Sequence, residues 1–177
     1  MHAVIDDAPL QAHRGLYGRG EQLLMAIIGV FSRIPEDAIK FLARFSIAVT
    51  FWVSGQTKVE GLVVDPIGGH FHLGLPHLSA SAIELFRSDY ALPLIPPEWA
   101  ATLAATTEHV FPLLLLIGLA TRLSAAALLG MTLVIEIFVY PLAYPTHGLW
   151  AALMLYLMAR GPGAWSIDRL IANRARH

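Results

Sequence analysis

Long runs of apolar residues divide this chain into segments of membrane-crossing length. The runs are Ile39–Val59, Trp99–Ala120, Leu123–Tyr140 and Gly148–Ala159, the last extendable back to Tyr144. A helix needs about 20 such residues to cross about 30 Å of hydrocarbon. The pattern predicts four transmembrane helices, here called predicted spans one to four, at about 38–59, 98–120, 122–141 and 144–160. Together they form one domain over residues 36–170.

Composition agrees with an all-α integral membrane protein whose first partner is the lipid bilayer. Of the 177 residues, 56% are hydrophobic and 14% are charged, and the mean hydropathy is +0.59. This hydrophobic content is higher, and this charged content lower, than in an ordinary soluble domain. Because the chain has no cysteine, thiol redox chemistry is excluded and any redox role needs a bound cofactor. Near-neutral net charge without basic blocks excludes nucleic acid as a partner.

Residues 1–35 are expected to form a separate N-terminal segment. Leu23–Phe31 is apolar, but about nine residues cannot span a bilayer. The following Ser32–Pro35 offers no small-residue cleavage site for a signal peptidase. We expect an uncleaved interfacial helix on the membrane surface.

Basic residues set the expected orientation. Only Arg87 lies in the loops Gly61–Pro97 and Pro141–His147. Nine others lie on the opposite side of the predicted spans: Arg14, Arg19, Arg33, Lys40, Arg122, Arg160, Arg169, Arg174 and Arg176. The positive-inside rule then places both termini in the cytoplasm, with 171–177 as a tail, in a bacterial-type plasma (inner) membrane.

The long outer loop has two parts. The first contains His70, His72 and His77, and imidazoles without thiols suit Zn, Cu, Ni or Fe. No carboxylate motif completes a metal signature there, and the alternative is histidines that face solvent or lipid headgroups. The second part, Ser79–Tyr90, has the pattern of a short amphipathic helix with Ser79 or Ser81 as its N-cap.

Three ionisable residues within the predicted spans are the first candidates for function, because charges at this depth are costly unless they face partners or water. Glu108 lies ~15 Å from the outer boundary. Glu136 and Lys58 each lie ~21 Å from the inner boundary. We prefer a Lys58–Glu136 ion pair, because these two residues lie at the same predicted depth. A Lys58–Glu108 pair stays open, because helix ends are poorly defined by sequence.

Helical periodicity adds further polar groups to the same interior. The residues that line the predicted outward-opening pocket beside those three are Ser54, His109, Tyr140 and His147. Such a pocket fits a four-helix bundle. The alternative is a satisfied hydrogen-bond network that holds helices together and binds no ligand. Arg44, near the inner interface, is expected to snorkel.

A series of motifs, in order and at fitting spacing from Phe41 to about Leu170, resembles the DoxX family of small membrane proteins. The motifs are Phe41-Leu-Ala-Arg-Phe45, Ser54-Gly55 with Lys58, Leu92-Pro-Leu-Ile-Pro-Pro-Glu98, Thr107-Glu-His-Val-Phe-Pro112, Gly118-Leu-Ala-Thr-Arg122, Ile137-Phe-Val-Tyr-Pro141 and Gly161-Pro-Gly-Ala-Trp-Ser-Ile-Asp168. The resemblance implies a four-helix membrane bundle. Its matching positions are Arg44, Ser54, Gly55, Lys58, Glu108, Arg122 and the turn Gly161-Pro162-Gly163. The His-rich loop is not part of the pattern.

Relatives in this family include the membrane subunit of thiosulfate:quinone oxidoreductase, so the resemblance implies a link to quinones. The leading hypothesis is a quinone-associated redox subunit. In it, Glu108, His109, Glu136 or Lys58 hydrogen-bonds the carbonyls of an isoprenoid quinone and relays protons. A soluble or membrane redox partner and a homo-oligomer are compatible with it. The alternatives are a non-catalytic module that handles a metal or small solute through the His-rich loop, and an assembly scaffold for a redox partner.

Overall fold

The apolar runs are helical in the computed structural model, which describes residues 8–65 and 68–176. Helices α2 (Glu36–Gln56), α4 (Pro97–Ile117) and α5 (Thr121–Phe138) are each long and apolar enough to cross a membrane. Helix α6 (Tyr144–Arg160) has 17 residues, about 26 Å at 1.5 Å per residue. Within the described residues, three helices therefore meet the criteria for a span. The fourth crossing stays a prediction.

The N-terminal unit, which ends at Glu36, contains helix α1 (Ala8–Phe31). This helix is much longer than the apolar segment Leu23–Phe31 from which it was predicted. Its apolar part, Gly20–Phe31, falls short of a membrane-crossing length. The second unit, Asp37–His177, carries all the features described below.

A β-hairpin follows α2, so the chain is mostly helical, as predicted, but not helical throughout. Helix α2 ends at Gln56 rather than near residue 59, and β1 (Val59–Asp65) pairs antiparallel with β2 (His70–Leu78). The apolar residues of β1 include three valines, whose branched side chains favour strands. On α2, Trp52 donates to the Val64 carbonyl (3.0 Å) and Gln56 accepts from the Val64 N–H (2.8 Å). Side chains of α2 thus cover this edge of the hairpin.

The segment between the hairpin and α4 folds back onto α4. It consists of α3 (Ala80–Leu85) and one π-helical turn (Phe86–Tyr90). Ser79 is the N-cap of α3, because its hydroxyl accepts from the Ala82 N–H at 3.1 Å. Phe86 is buried against Ala100 and Ala101 of α4.

One apolar core joins helices α2, α4, α5 and α6. Its largest members are Ile47 and Phe51 from α2, Leu115 from α4, Leu128 from α5, and Met154 and Leu157 from α6. Alanines at 43, 48 and 125 lie among them, and such small residues let helices approach closely. The core therefore holds these four helices together, whichever of them cross a bilayer.

Arg44 is buried within this core rather than snorkelling, so that expectation was wrong. Its guanidinium donates to the carbonyls of Leu115 (3.1 Å) and Leu116 (3.3 Å) at the end of α4, and to the carbonyl of Trp165. The last carbonyls of a helix lack helical partners and carry partial negative charge. The end of α4 thus supplies the acceptors that an arginine would otherwise seek at the interface.

Helix α7 (Ile167–Arg174) packs its first turn on the start of α5. The carboxylate of Asp168 accepts from the N–H groups of Ala120 (2.8 Å) and Thr121 (2.9 Å). The Asp168 N–H donates to the Gly118 carbonyl (2.9 Å). Because α7 continues to Arg174, the boundary drawn at residue 170 falls inside a helix.

We expect Gly118→Ala to destabilise this end of the domain. Gly118 has φ +69° just after α4, and a Cβ there would overlap the Arg44 guanidinium and Ser166. Left-handed strain and overpacking each cost about 1–3 kcal/mol. Thermal unfolding in detergent should show a lower midpoint. The matched control is Gly130→Ala in α5, where a Cβ meets nothing within 4 Å; equal midpoints for the two variants would contradict the prediction.

Candidate functional site

A buried ion pair joins the end of α2 to the middle of α4. Lys58 Nζ lies 2.7 Å from Glu108 Oε2, and the two side chains are 6% and 3% exposed. The preferred Lys58–Glu136 pair is therefore wrong, and the alternative is correct. The reason is the early end of α2, since Lys58 projects from the turn before β1 rather than from the helix.

Ser54 completes the polar contacts of this pair. Its hydroxyl donates to Glu108 Oε1 (3.0 Å) and accepts from Lys58 Nζ (3.1 Å). The Ser54 carbonyl also accepts from Lys58 Nζ (3.2 Å). Glu108 Oε2 accepts no well-angled hydrogen bond among the described residues, so the charge of Lys58 dominates its stabilisation. That oxygen keeps capacity to accept from a ligand.

A pocket of about 290 Å³ opens beside the ion pair. Lys58 and Glu108 are its charged lining residues, and Tyr90 and Thr107 add hydroxyl groups. Apolar side chains form the rest, among them Phe86, Leu92, Ile95, Leu103, Met131 and Ile135. The volume lies near the lower end of the range, on the order of 300–1,000 Å³, found for small-molecule sites. An apolar pocket with few polar groups is typical of such sites.

Tyr90 is the pocket residue that sequence reasoning missed. Burial foremost, and then the neighbouring Tyr140, raise the pKa of Tyr90 to about 12. Its hydroxyl therefore stays protonated at neutral pH and can donate. The ring lies 4.6 Å from Phe86 and meets Tyr140 edge-on at 5.7 Å. The spacing of Phe86 and Tyr90 places both on one helical face, but nothing in the sequence indicates that this face covers α4.

Glu136 and His147 form a second pair that links α5 to α6. His147 Nδ1 lies 2.6 Å from Glu136 Oε2, and the imidazole packs on Trp150 at 5.1 Å. Neither residue is among the described residues that line the pocket, and Tyr140 reaches the pocket only through its contact with Tyr90. The structure thus separates residues that the sequence grouped into one interior.

His109 connects α4 to α2 and the hairpin. Its Nδ1 donates to the Ala105 carbonyl (2.7 Å), since a carbonyl can only accept. Gln56 Nε2 then donates to His109 Nε2 (2.9 Å) while Gln56 Oε1 accepts from Val64. Trp52 meets the imidazole edge-on at 5.0 Å. These partners assign a neutral ring with the proton on Nδ1, which serves helix and hairpin packing.

The three loop histidines lie on the exposed strand β2. His70 and His72 share one face of the strand by alternation. His77 Nε2 lies 3.6 Å from Glu60 Oε2, and both of those side chains are exposed. In residues 8–65 and 68–176, no group of three or more His, Asp or Glu is placed to hold a metal ion. The metal site therefore stays a sequence prediction without geometric support.

We expect the Lys58–Glu108 pair to be strongly coupled in stability. Glu108→Gln or Lys58→Met alone leaves one buried charge unpaired, which costs about 3–5 kcal/mol. The double variant removes both charges and should recover much of this loss in unfolding experiments. Arg87→Gln, which breaks an exposed pair with Glu98, is the control and should cost about 1 kcal/mol or less. A double variant as unstable as the sum of the single variants would contradict coupling.

The comparisons with known proteins give one match. The DoxX family model matches residues 39–141, which contain the ion pair and the whole pocket lining but not His147 or the segment Gly161–Asp168. Neither a curated protein nor a solved structure matches the chain. The matched residues cover 103 of 177 positions. The chain therefore belongs to the DoxX family.

Proposed function

We propose that this DoxX protein is the quinone-binding membrane subunit of a redox system, with its site in the pocket beside Lys58 and Glu108. The observation that carries the proposal is an apolar pocket whose charged groups are one buried ion pair. A flat ring with an isoprenoid tail suits apolar walls, and two polar ring oxygens suit a small set of fixed donors and acceptors.

The polar groups at the pocket match both redox forms of a quinone. The Tyr90 hydroxyl can donate to a carbonyl oxygen, while the three donors of Lys58 Nζ already face Ser54 and Glu108. Glu108 Oε2, which lacks a well-angled hydrogen bond, can accept from the hydroxyl of a quinol. The pocket therefore offers both a donor and an acceptor, and the residues present fit the ligand.

The protein contributes position, charge and a proton route. A bound quinone supplies two-electron, two-proton chemistry, and a soluble or membrane redox partner supplies the electrons. Glu108 holds or releases a proton at Oε2, and Lys58 compensates its charge when the carboxylate is ionised. The apolar walls keep water away from these groups.

The proposal includes a four-helix membrane bundle with α6 as the fourth span. Seventeen residues lie at the short limit for a crossing helix, and α6 shares one core with α2, α4 and α5. Four spans place both ends of the chain on one side. The distribution of basic residues favours the cytoplasmic side of a bacterial-type inner membrane.

We expect wild-type protein in nanodiscs to bind a short-chain ubiquinone analogue, and pocket variants to bind it less well. Glu108→Gln should weaken binding about tenfold or more, because a hydrogen bond to a charged group contributes about 1.5–3 kcal/mol. Tyr90→Phe keeps the ring, removes one donor, and should weaken binding about two- to tenfold. Isothermal titration calorimetry of the nanodisc samples measures these affinities.

Glu136→Gln is the matched control, since Glu136 is an acid in α5 outside the described pocket lining. Its affinity should stay within about twofold of wild type. Wild-type protein that binds no quinone would overturn the proposal. If a redox partner still co-purified with such a protein and with the Glu108→Gln variant, the scaffold alternative would be favoured.

We expect single introduced cysteines to report the topology cleanly, because the chain has none of its own. In intact spheroplasts a membrane-impermeant maleimide should label Ser88→Cys in the π-helical turn. Asn173→Cys in α7 should be labelled only after permeabilisation. Labelling of both variants in intact cells would mean that α6 does not cross. Labelling of Asn173→Cys alone would mean that the protein has the opposite orientation in the membrane.

A further inference from the structure

We infer that a phosphate group binds in a basic cleft at the Arg44 end of the domain, which shares no described lining residue with the quinone pocket. The cleft has a volume of about 270 Å³ and is lined by Asp37, Lys40, Arg160, Pro162, Gly163, Ala164 and Arg169. No contact of this cleft is used by the proposed quinone site. The inference stands independently of that proposal.

The charge of the cleft favours an anion. Three cationic side chains, Lys40, Arg160 and Arg169, meet one carboxylate, Asp37, among the described lining residues. The lining thus carries a formal excess of two positive charges, although the whole chain has a net charge of −1. Guanidinium groups bind phosphate oxygens with paired hydrogen bonds, and lysine adds a compact charge.

The carboxylate of Asp37 lines the cleft because it binds the backbone of a neighbouring loop. Asp37 Oδ1 accepts from the Ala164 N–H at 2.9 Å and so holds the Gly161–Trp165 loop against the start of α2. Gly163, at φ +85°, makes this approach possible, since a Cβ there would come within 3.2 Å of Asp37 and Lys40. The cleft is therefore a product of the backbone turn and not of side-chain placement alone.

A second opening adjoins the cleft and offers apolar space. It has a volume of about 500 Å³ and shares Pro162 and Arg169 with the cleft. Its lining includes the apolar Leu123 and Ala172 together with the charged Arg122 and Asp168. A phosphate held by the basic side chains thus has room beside it for an uncharged extension of the same molecule.

The position of the cleft suits a lipid phosphate. Asp37 and Lys40 lie in the first turns of α2, and Arg160 ends α6. Helix ends of this kind lie at headgroup level when the helices cross a bilayer. Trp165, 61% exposed, packs edge-on against Phe41 at 6.0 Å, and exposed tryptophan is typical of the membrane interface. The shared chemistry is phosphate, from an anionic phospholipid or free in solution.

The test compares ligands on the full chain in detergent. Native mass spectrometry should show phosphatidylglycerol retained in preference to phosphatidylcholine at equal added concentration. Arg160→Gln combined with Arg169→Gln should lower phosphatidylglycerol retention at least tenfold. Arg174→Gln combined with Arg176→Gln removes two charges outside the described cleft lining and should change retention less than twofold. Unchanged thermal unfolding of both double variants shows that folding is intact.

A second arm distinguishes the source of the phosphate. Failure of millimolar inorganic phosphate to displace the retained phosphatidylglycerol assigns the site to lipid. Displacement of the retained phosphatidylglycerol by phosphate assigns the site to free phosphate, and both results support the inference. Equal retention of the two lipids by wild-type protein, or equal retention of phosphatidylglycerol by the two double variants, would overturn it. Quinone affinity should be the same in both double variants, so failure here leaves the proposed function untouched.

Discussion

The burial of one lysine and one glutamate is the constraint on which the rest of the domain depends. If either Lys58 or Glu108 is replaced, the other is left as an unpaired charge in apolar surroundings. The pair therefore fixes the end of α2 against the middle of α4. Pro112 lies one turn further along α4 and has no N–H, so the Glu108 carbonyl lacks its usual helical donor. Glu108 thus gives the pocket its polar character and also fixes the packing of α2 against α4.

A second buried cation ties α2 to α4 at the opposite end. Arg44 binds the last carbonyls of α4, and Lys58 binds a carboxylate near the middle of that helix. Two fixed points on one pair of helices prevent α2 from sliding along α4 or rotating against it. The remaining pocket walls come from α5, through Met131 and Ile135, and from the loop segment around Phe86 and Tyr90. A rigid floor is thereby combined with walls that belong to neither α2 nor α4.

The sequence predicted what depends on local pattern and missed what depends on tertiary contact. Apolar runs of about 20 residues have few physical outcomes, so α2, α4 and α5 lie within a few residues of their predicted bounds. The hairpin was missed because Val59 also continues an apolar helix, and its anchors on Trp52 and Gln56 are long-range contacts. That small error at the end of α2 also produced the wrong partner for Lys58.

The polar residues at the hairpin end of the domain now fall into pairs with different tasks. His109 is occupied by Gln56 and Ala105, and Glu136 by His147. Each of these groups already has its partner away from the described pocket lining. Glu108 differs, because it lines the pocket and keeps one oxygen without a well-angled hydrogen bond. Glu108 is therefore the carboxylate that faces the pocket, with Lys58 balancing its charge and Ser54 donating to its other oxygen.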